Sequence, residues 1–481
     1  MKKAIFFISF LILCLLEQTQ AQSAIKGVEK PNIVFIYMDD MGYADLSCYG
    51  APENSTPQMD KIADKGVRFT NFYAGSNICS PSRAALLTGC YPPRASMPKV
   101  LLDTPKGLSY DLETMAEMLQ KRDYATALIG KWHLGYYDEY LPLNHGFDYF
   151  YGVPHSHDLK VNGELPFYRN EEIIEKNPDN STLTTRYTEE ATKYIREHKD
   201  EPFFLYLAHN MPHTPLAVSD KFKGKSGHGL YADVMMEIDW SIGEVVKELK
   251  KQGLAKNTLV VISSDNGPSK KQGTHSGSAG PFREGKGTTF EGGHRVPGIV
   301  YMPGTIKGGQ VIDDMVSQID LYPTVAAIAG ADLPDYSIDG YNIWNTLTSG
   351  EASPRKDFYY FNAKNIEAYR KGDKKVHKAH NYRGIDPDAY NDNKENGKLK
   401  VVRKKLEASV FDLSKDLGET NNLIQEEQGI FDEFVQEMKT FQQHVYQTMF
   451  KPEVKEGVAG AENTQKKKGK KKKGKKKKAK A

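Results

Sequence analysis

Two acidic steps in the chain, Asp39-Asp40 and Asp265-Asn266, place oxygen-bearing side chains directly after apolar runs. Adjacent carboxylates at such a position repel one another unless a positive charge lies between them. Four hard oxygen donors from two places of this kind suit a divalent cation of the calcium type. Lys131 and His133 bracket Trp132 after another apolar run, and His209 and His213 follow a third. Lys286 sits in the glycine-rich Gly285-Lys286-Gly287-Thr288-Thr289-Phe290-Glu291-Gly292-Gly293, which lacks the spacing and the strand–loop–helix context of a phosphate loop. Cys79, in Cys79-Ser80-Pro81-Ser82-Arg83, is by its own neighbours a buried thiol or half of a disulfide, with Pro81 and Ser82 opening a helix.

Regular elements must bring these residues together. Short apolar runs at Ile33–Met38, Tyr124–Ile129, Phe203–Ala208, Leu259–Ser263 and Gly298–Met302 predict strands, most of them buried on both faces. Apolar residues at three- and four-residue spacing predict helices over Asp111–Arg122, Arg186–His198, Asp233–Gln252 and Asp320–Ala329. Their alternation implies an α/β class: a large, mostly parallel sheet, mixed in part and flanked by helices, with the ligand site at the carboxyl ends of the strands. Beyond Pro354 the alternation stops. Strand-like pieces at Phe358–Phe361 and Leu399–Arg403 and a helix over Ile430–Phe450 predict a smaller C-terminal α+β domain with an antiparallel sheet. The expected division is a signal segment over 1–21, a catalytic domain over 25–354, the small domain over 355–450 and a disordered tail over 451–481.

Cys79-Ser80-Pro81-Ser82-Arg83 resembles the modification site of the type I sulfatases, the formylglycine-dependent, arylsulfatase A-like group of the alkaline phosphatase superfamily. Gly130-Lys131-Trp132-His133-Leu134-Gly135 matches a motif of that family over six residues, and Asp39-Asp40 and Asp265-Asn266-Gly267 match its acidic strand ends. The resemblance implies that Cys79 matures to formylglycine, whose hydrate is the nucleophile. It assigns Asp39, Asp40, Asp265 and Asn266 to one calcium ion, completed by an oxygen of the modified Cys79. His213, in Pro212-His213-Thr214-Pro215, corresponds to the general acid, with His209 as its neighbour. Lys131 and Lys286 are placed on the sulfate, Arg83 on the hydrate's alkoxide and His133 on the second proton transfer.

Gly152-Val153-Pro154-His155-Ser156-His157-Asp158 resembles a sulfate-contacting stretch of the arylsulfatase A group, which carries Ser156 over to the substrate. Lys375-Val376-His377 and Asp416-Leu417-Gly418-Glu419 match motifs of the family's small domain. His155, His157, Asp158 and His377 are the expected sugar contacts. In the implied reaction one hydrate hydroxyl attacks sulfur, the alcohol leaves with a proton from His213, and the second hydroxyl then expels sulfate as the aldehyde re-forms. The substrate class implied is a sulfated carbohydrate, such as an algal galactan or ulvan fragment or a host glycan.

Lys2 and Lys3, the apolar run Ala4–Leu16 and Thr19-Gln20-Ala21 read as a cleaved secretory signal, so the mature chain is expected in the periplasm or outside the cell. No stretch is long enough for a transmembrane span. Three cysteines remain, Cys48, Cys79 and Cys90, and if Cys79 is converted the other two either pair or stay reduced. The formal net charge is +3, but twelve lysines lie within 466–480, so the rest of the chain is net acidic. Partners expected are the sulfated substrate and an enzyme that installs formylglycine, with no nucleic acid. Two other functions fit parts of the sequence. One is a phosphatase or phosphonate monoester hydrolase of the same superfamily, against which the single Asp-Asn metal site argues. The other is a polyanion-binding protein acting through the lysine tail.

Overall fold

A computed structural model describes residues 30–102, 106–386 and 398–450. The signal segment and the lysine tail expected from the sequence lie outside the described residues.

Ten strands form one sheet in the order β11 (Gln310–Ile312), β2 (Val67–Phe69), β10 (Gly298–Tyr301), β9 (Thr258–Ser264), β1 (Asn32–Met38), β8 (Phe203–Ala208), β4 (Ala125–Lys131), β5 (Tyr149–Val153), β6 (Pro166–Arg169) and β7 (Glu172–Lys176). The centre, from β9 through β5, is parallel. β10 runs antiparallel to β9 and β2, and β6 and β7 are antiparallel additions at the far edge. All seven residues of β1 are buried, and successive side chains serve opposite layers. Ile33, Phe35 and Tyr37 join one core with the helices Cys79–Thr88, Met115–Gln120 and Leu321–Ala329. Val34, Ile36 and Met38 join the other, with the helices Pro57–Asp64, Leu183–Glu197 and Leu230–Lys251. Burial on both faces explains why these strands read as unbroken apolar runs.

The helix expected from Asp111 begins instead after Thr114. There the Thr114 hydroxyl accepts the Glu117 N–H at 3.1 Å and Glu117 accepts the Thr114 N–H at 2.6 Å, a reciprocal cap that fixes the start.

A C-terminal domain is built on the antiparallel sheet β13 (Asp357–Asn362), β14 (Asn365–Lys371), β15 (Lys374–His377) and β18 (Ser409–Asp412). The helix Gln428–Thr448 packs on it, and the same core takes in Tyr73, Ala85, Tyr91 and Ile319 of the larger domain. A hairpin of β16 (His380–Ile385) and β17 (Val401–Leu406) stands beside this sheet. The strand expected at Leu399–Arg403 is observed at Val401–Leu406, and the last helix ends at Thr448.

Candidate active site

Strand register brings the chemistry together. Met38 pairs with Ser264, and the Asp265 N–H donates to the Met38 carbonyl at 3.0 Å, which sets Asp39 and Asp265 side by side past the ends of β1 and β9. The His209 N–H donates to the Tyr37 carbonyl at 2.9 Å, and Trp132 and His133 continue the pairing of β4 against Val153 and Pro154 at 3.1 and 3.0 Å. Five central strands therefore deliver Asp39, Asp265, His209, Lys131 and His155 to one edge, as parallel sheets do for their ligands. Two residues there hold left-handed backbone despite carrying side chains: Asp40 (φ 68°) and His133 (φ 63°). Such conformations are uncommon outside glycine and persist where surrounding structure fixes them. Gly267 is required by space, since a Cβ there would lie 1.8 Å from the Gly292 carbonyl oxygen.

Cys79 is the first residue of a ten-residue helix buried along its whole length. Arg83, one turn on, donates through Nε and Nη2 to Asp265 Oδ2 at 3.1 and 2.9 Å and through Nη1 to the Lys131 carbonyl at 3.1 Å. Lys131 Nζ bonds Asp39 Oδ2, and Lys286 Nζ lies 2.5 Å from Asp40 Oδ1. Three carboxylates thus face three cations in a site almost closed to solvent. Burial alone would raise the Asp39 carboxyl, yet Lys131, His213, Arg83 and Lys286 together hold it well below the usual range. Asp265 goes the other way, to about 7, because burial and the neighbouring Asp39 charge outweigh Arg83. Burial raises the Cys79 thiol, so as a cysteine it would be a poor thiolate nucleophile.

Two oxygens in this cluster have no hydrogen-bond partner although fully buried: Asp39 Oδ1 and Asn266 Oδ1. The Asn266 amide is oriented by its nitrogen, which donates to Asp40 Oδ1 at 2.7 Å and to the Gly267 carbonyl at 2.9 Å. Buried acceptors left bare cost about 1–3 kcal/mol each, so their persistence points to a ligand. Asp39, Cys79 and Asp265 present ligand atoms within 4.8 Å of one another, as do Asp39, Asp40 and His213. A hard divalent cation fits this oxygen set. Because three cations already face the three carboxylates, such an ion adds positive charge suited to an oxyanion.

His213 Nε2 lies 3.8 Å from Asp40 Oδ2, its ring partly exposed and its Nδ1 without a partner. Burial and then Lys286 lower its pKa. The His157 ring meets it edge-on at 5.7 Å and is itself anchored by Nε2 to the Pro215 carbonyl at 3.1 Å. Burial, then His213, takes His157 down to about 4, so it is neutral. Asp158 is exposed, and His213 is the main group that lowers its carboxyl. His155 and Ser156 are buried on the same segment, with His155 Nδ1 3.0 Å from the Ser156 carbonyl oxygen. His133 is buried beside Leu101, and burial together with Lys131 and Arg83 lowers its pKa well below the usual value.

One expected site residue lies elsewhere. His377 is fully buried, its Nε2 2.9 Å from Glu419 Oε1 and its ring against Phe290, which leaves it no face for a sugar. His209 is likewise enclosed, at 3.2 Å from Ser241 Oγ. Cys48 and Cys90 are both free thiols. Glu291 is not among the site residues expected from the sequence. Although it lies within the glycine-rich motif quoted for Lys286, it forms the hub of a second buried ionic cluster with Lys375, Arg295 and Arg370.

Comparison with known proteins gives a single answer. Residues 31–331 match the family model described as Sulfatase, and residues 284–447 match one described as N-sulphoglucosamine sulphohydrolase, C-terminal. The chain is 36% identical to arylsulfatase A of Homo sapiens over 448 residues, 86% of this chain and 87% of that protein. It is 40% identical to N-acetylgalactosamine-6-sulfatase of Rattus norvegicus over 364 residues, 69% and 68% of the two chains. Among solved structures, the PsFucS1 sulfatase from Pseudoalteromonas sp. superposes with a TM-score of 0.77 at 28% identity, covering 93% of this chain and 95% of that one.

Proposed function

This chain belongs to the sulfatase family, arylsulfatase A-like within the alkaline phosphatase superfamily, and hydrolyses sulfate esters; from that premise we propose an exported carbohydrate sulfatase that uses formylglycine at position 79 and one calcium ion. The observation that carries the reading is the pair of bare buried oxygens, Asp39 Oδ1 and Asn266 Oδ1, beside a Cys79 whose thiol burial raises above its usual range. Asp39, Asp40, Asp265 and Asn266 are the residues that would hold the ion. The formylglycine hydrate supplies the nucleophilic hydroxyl, and the ion supplies charge that polarises the sulfate. Lys131 and Lys286, on opposite carboxylates, bind the sulfate oxygens and take up charge as the ester bond breaks. Arg83, locked to Asp265, orients the helix start at Cys79. His213 hands a proton to the departing alcohol from the partly open side, and His157 braces its ring. His133 takes the proton released in the second half of the reaction. Ser156 contacts the sulfate, while the exposed Asp158, backed by the buried His155 and His157, faces the sugar.

A relative named for N-acetylgalactosamine 6-sulfate supports a sulfated sugar as substrate. Among the described residues no helix is long and apolar enough to cross a membrane. The amino-terminal Lys2-Lys3 and the apolar run after it support export, with modification of Cys79 by a formylglycine-installing enzyme. Mass spectrometry of the peptide spanning Cys79 tests the proposal: conversion of thiol to aldehyde lowers its mass by about 18 Da. An unmodified thiol in active enzyme would overturn it. Faster turnover of an aryl phosphate than of the matching aryl sulfate would favour the phosphatase alternative.

A further inference from the structure

The loop carrying Lys286 is held by the Lys286 N–H on the Pro268 carbonyl at 2.9 Å and from two further sides. Toward the nucleophile, the Gly287 N–H donates to the Asn77 carbonyl at 2.8 Å, and Asn77 Nδ2 donates to the Thr288 carbonyl at 3.0 Å. Toward the C-terminal domain, Glu419 Oε2 accepts the Glu291 N–H at 2.7 Å, and the Glu419 carbonyl accepts from Arg283 Nη1 at 2.6 Å. The Thr289 hydroxyl donates to Glu367 at 3.1 Å. Glu419 is itself immobilised, with Lys375 Nζ and His377 Nε2 each 2.9 Å from Oε1 and all three side chains fully buried. Between the anchors at Arg283 and Glu291 lie Gly285 and Gly287, the latter at φ 83°.

Resting on the sulfatase reading above, we propose that Glu419 is a positioning residue for the reaction. It acts through the Glu291 amide and Arg283 to keep the Lys286 ammonium in place beside Asp40. The C-terminal domain thereby contributes to sulfate-ester cleavage without touching the substrate. A displacement of about 1 Å in a group that meets the reacting atoms costs up to about 100-fold in rate, so a modest slackening of this clasp is measurable.

A double-mutant cycle on the matured full-length enzyme, with 4-nitrocatechol sulfate as substrate, tests the proposal. Glu419→Gln is expected to lower kcat by about tenfold in the native background but by less than about twofold when Lys286→Ala is already present, because the clasp then has nothing left to position. KM is expected to move less than kcat. Arg283→Gln, which releases the same loop and leaves the buried carboxylate in place, is expected to repeat the pattern and serves if Glu419→Gln fails to fold. Equal fold-losses in both backgrounds, or unchanged kcat in both variants, would overturn the positioning role. An unaffected Lys286→Ala enzyme would instead sink the role given to Lys286, and the clasp with it.

Discussion

The molecule contains two buried ionic clusters of similar composition and opposite character. Around Glu291 every carboxylate oxygen is used: Oε1 accepts from Tyr360 at 2.5 Å and Lys375 at 3.0 Å, and Oε2 accepts from Tyr73 at 2.6 Å and Arg295 at 3.4 Å. Both oxygens of Glu419 are likewise occupied. Around Asp39 the carboxylates are as deeply buried and are likewise faced by cations, yet Asp39 Oδ1 and Asn266 Oδ1 bond nothing. Burying charge is costly in both places, and only a closed hydrogen-bond shell repays the desolvation. The difference teaches which cluster is structure and which is site: the first fastens two domains together, while the second is incomplete without a ligand.

The largest expected effect isolates the open cluster. Cys79→Ala should reduce turnover by at least about four orders of magnitude, since a residue acting as nucleophile has no substitute. The thermal midpoint should barely move, because a small buried side chain is exchanged for a smaller one at the start of a helix. Residual turnover near the native value would remove Cys79 from the mechanism. Calcium chelation comes next. It should abolish turnover and lower the midpoint of the native enzyme, with both restored by added calcium, as expected when an ion binds the folded state alone. A midpoint indifferent to calcium would erase the contrast between the clusters.

The closed cluster answers in the other currency. Glu291→Gln leaves Lys375, Arg295 and Arg370 short of a buried counter-charge, and a loss of about 3–5 kcal/mol in unfolding free energy is expected from denaturant titration. Lys375 and Arg370 are the main groups that hold the Glu291 carboxyl below its usual range against burial. Should Glu291→Gln keep its stability, the cluster would not be the fastening its geometry suggests.

What the sequence revealed of these clusters follows from how local each signal is. Asp39, Asp265, Lys131 and His213 were legible because each follows an apolar run, and parallel strands deliver such residues to one edge. The Thr114-to-Glu117 cap was also written locally and marks a helix start that apolar spacing alone misplaced. Strand direction was not: the run Gly298–Tyr301 reads like its neighbours, yet pairs antiparallel. Nor were β6 and β7, where Glu172–Lys176 is largely exposed and has no continuous apolar character. The closed cluster was the least legible, because His377 and Glu419 are 42 residues apart in sequence and Glu291 is 128 from its amide's acceptor. A motif shared with a family marks such residues without saying whether they meet the substrate or one another.

The smallest expected effect per residue is acid sensitivity. His377, in the closed cluster, is brought to about 4, chiefly by burial and despite its bond to Glu419. His294, beside Tyr360, is brought to about 3, and His145, against Trp132 and Tyr110, to about 4, burial being the cause in each. In the unfolded chain each titrates near 6.5, so between that value and about 4 the unfolded state binds more protons than the folded one. The stability these histidines contribute is therefore complete above about pH 6.5 and is lost as pH falls toward 4, at about 1–2 kcal/mol for each by pH 5. Thermal midpoints measured across that window should fall with acidification even when calcium is saturating. His145→Gln, which removes one titrating ring whose nitrogens bond nothing in either cluster, should make the slope shallower by one proton. An unchanged slope would mean that His145 is already protonated in the folded protein, against the burial of both its nitrogens.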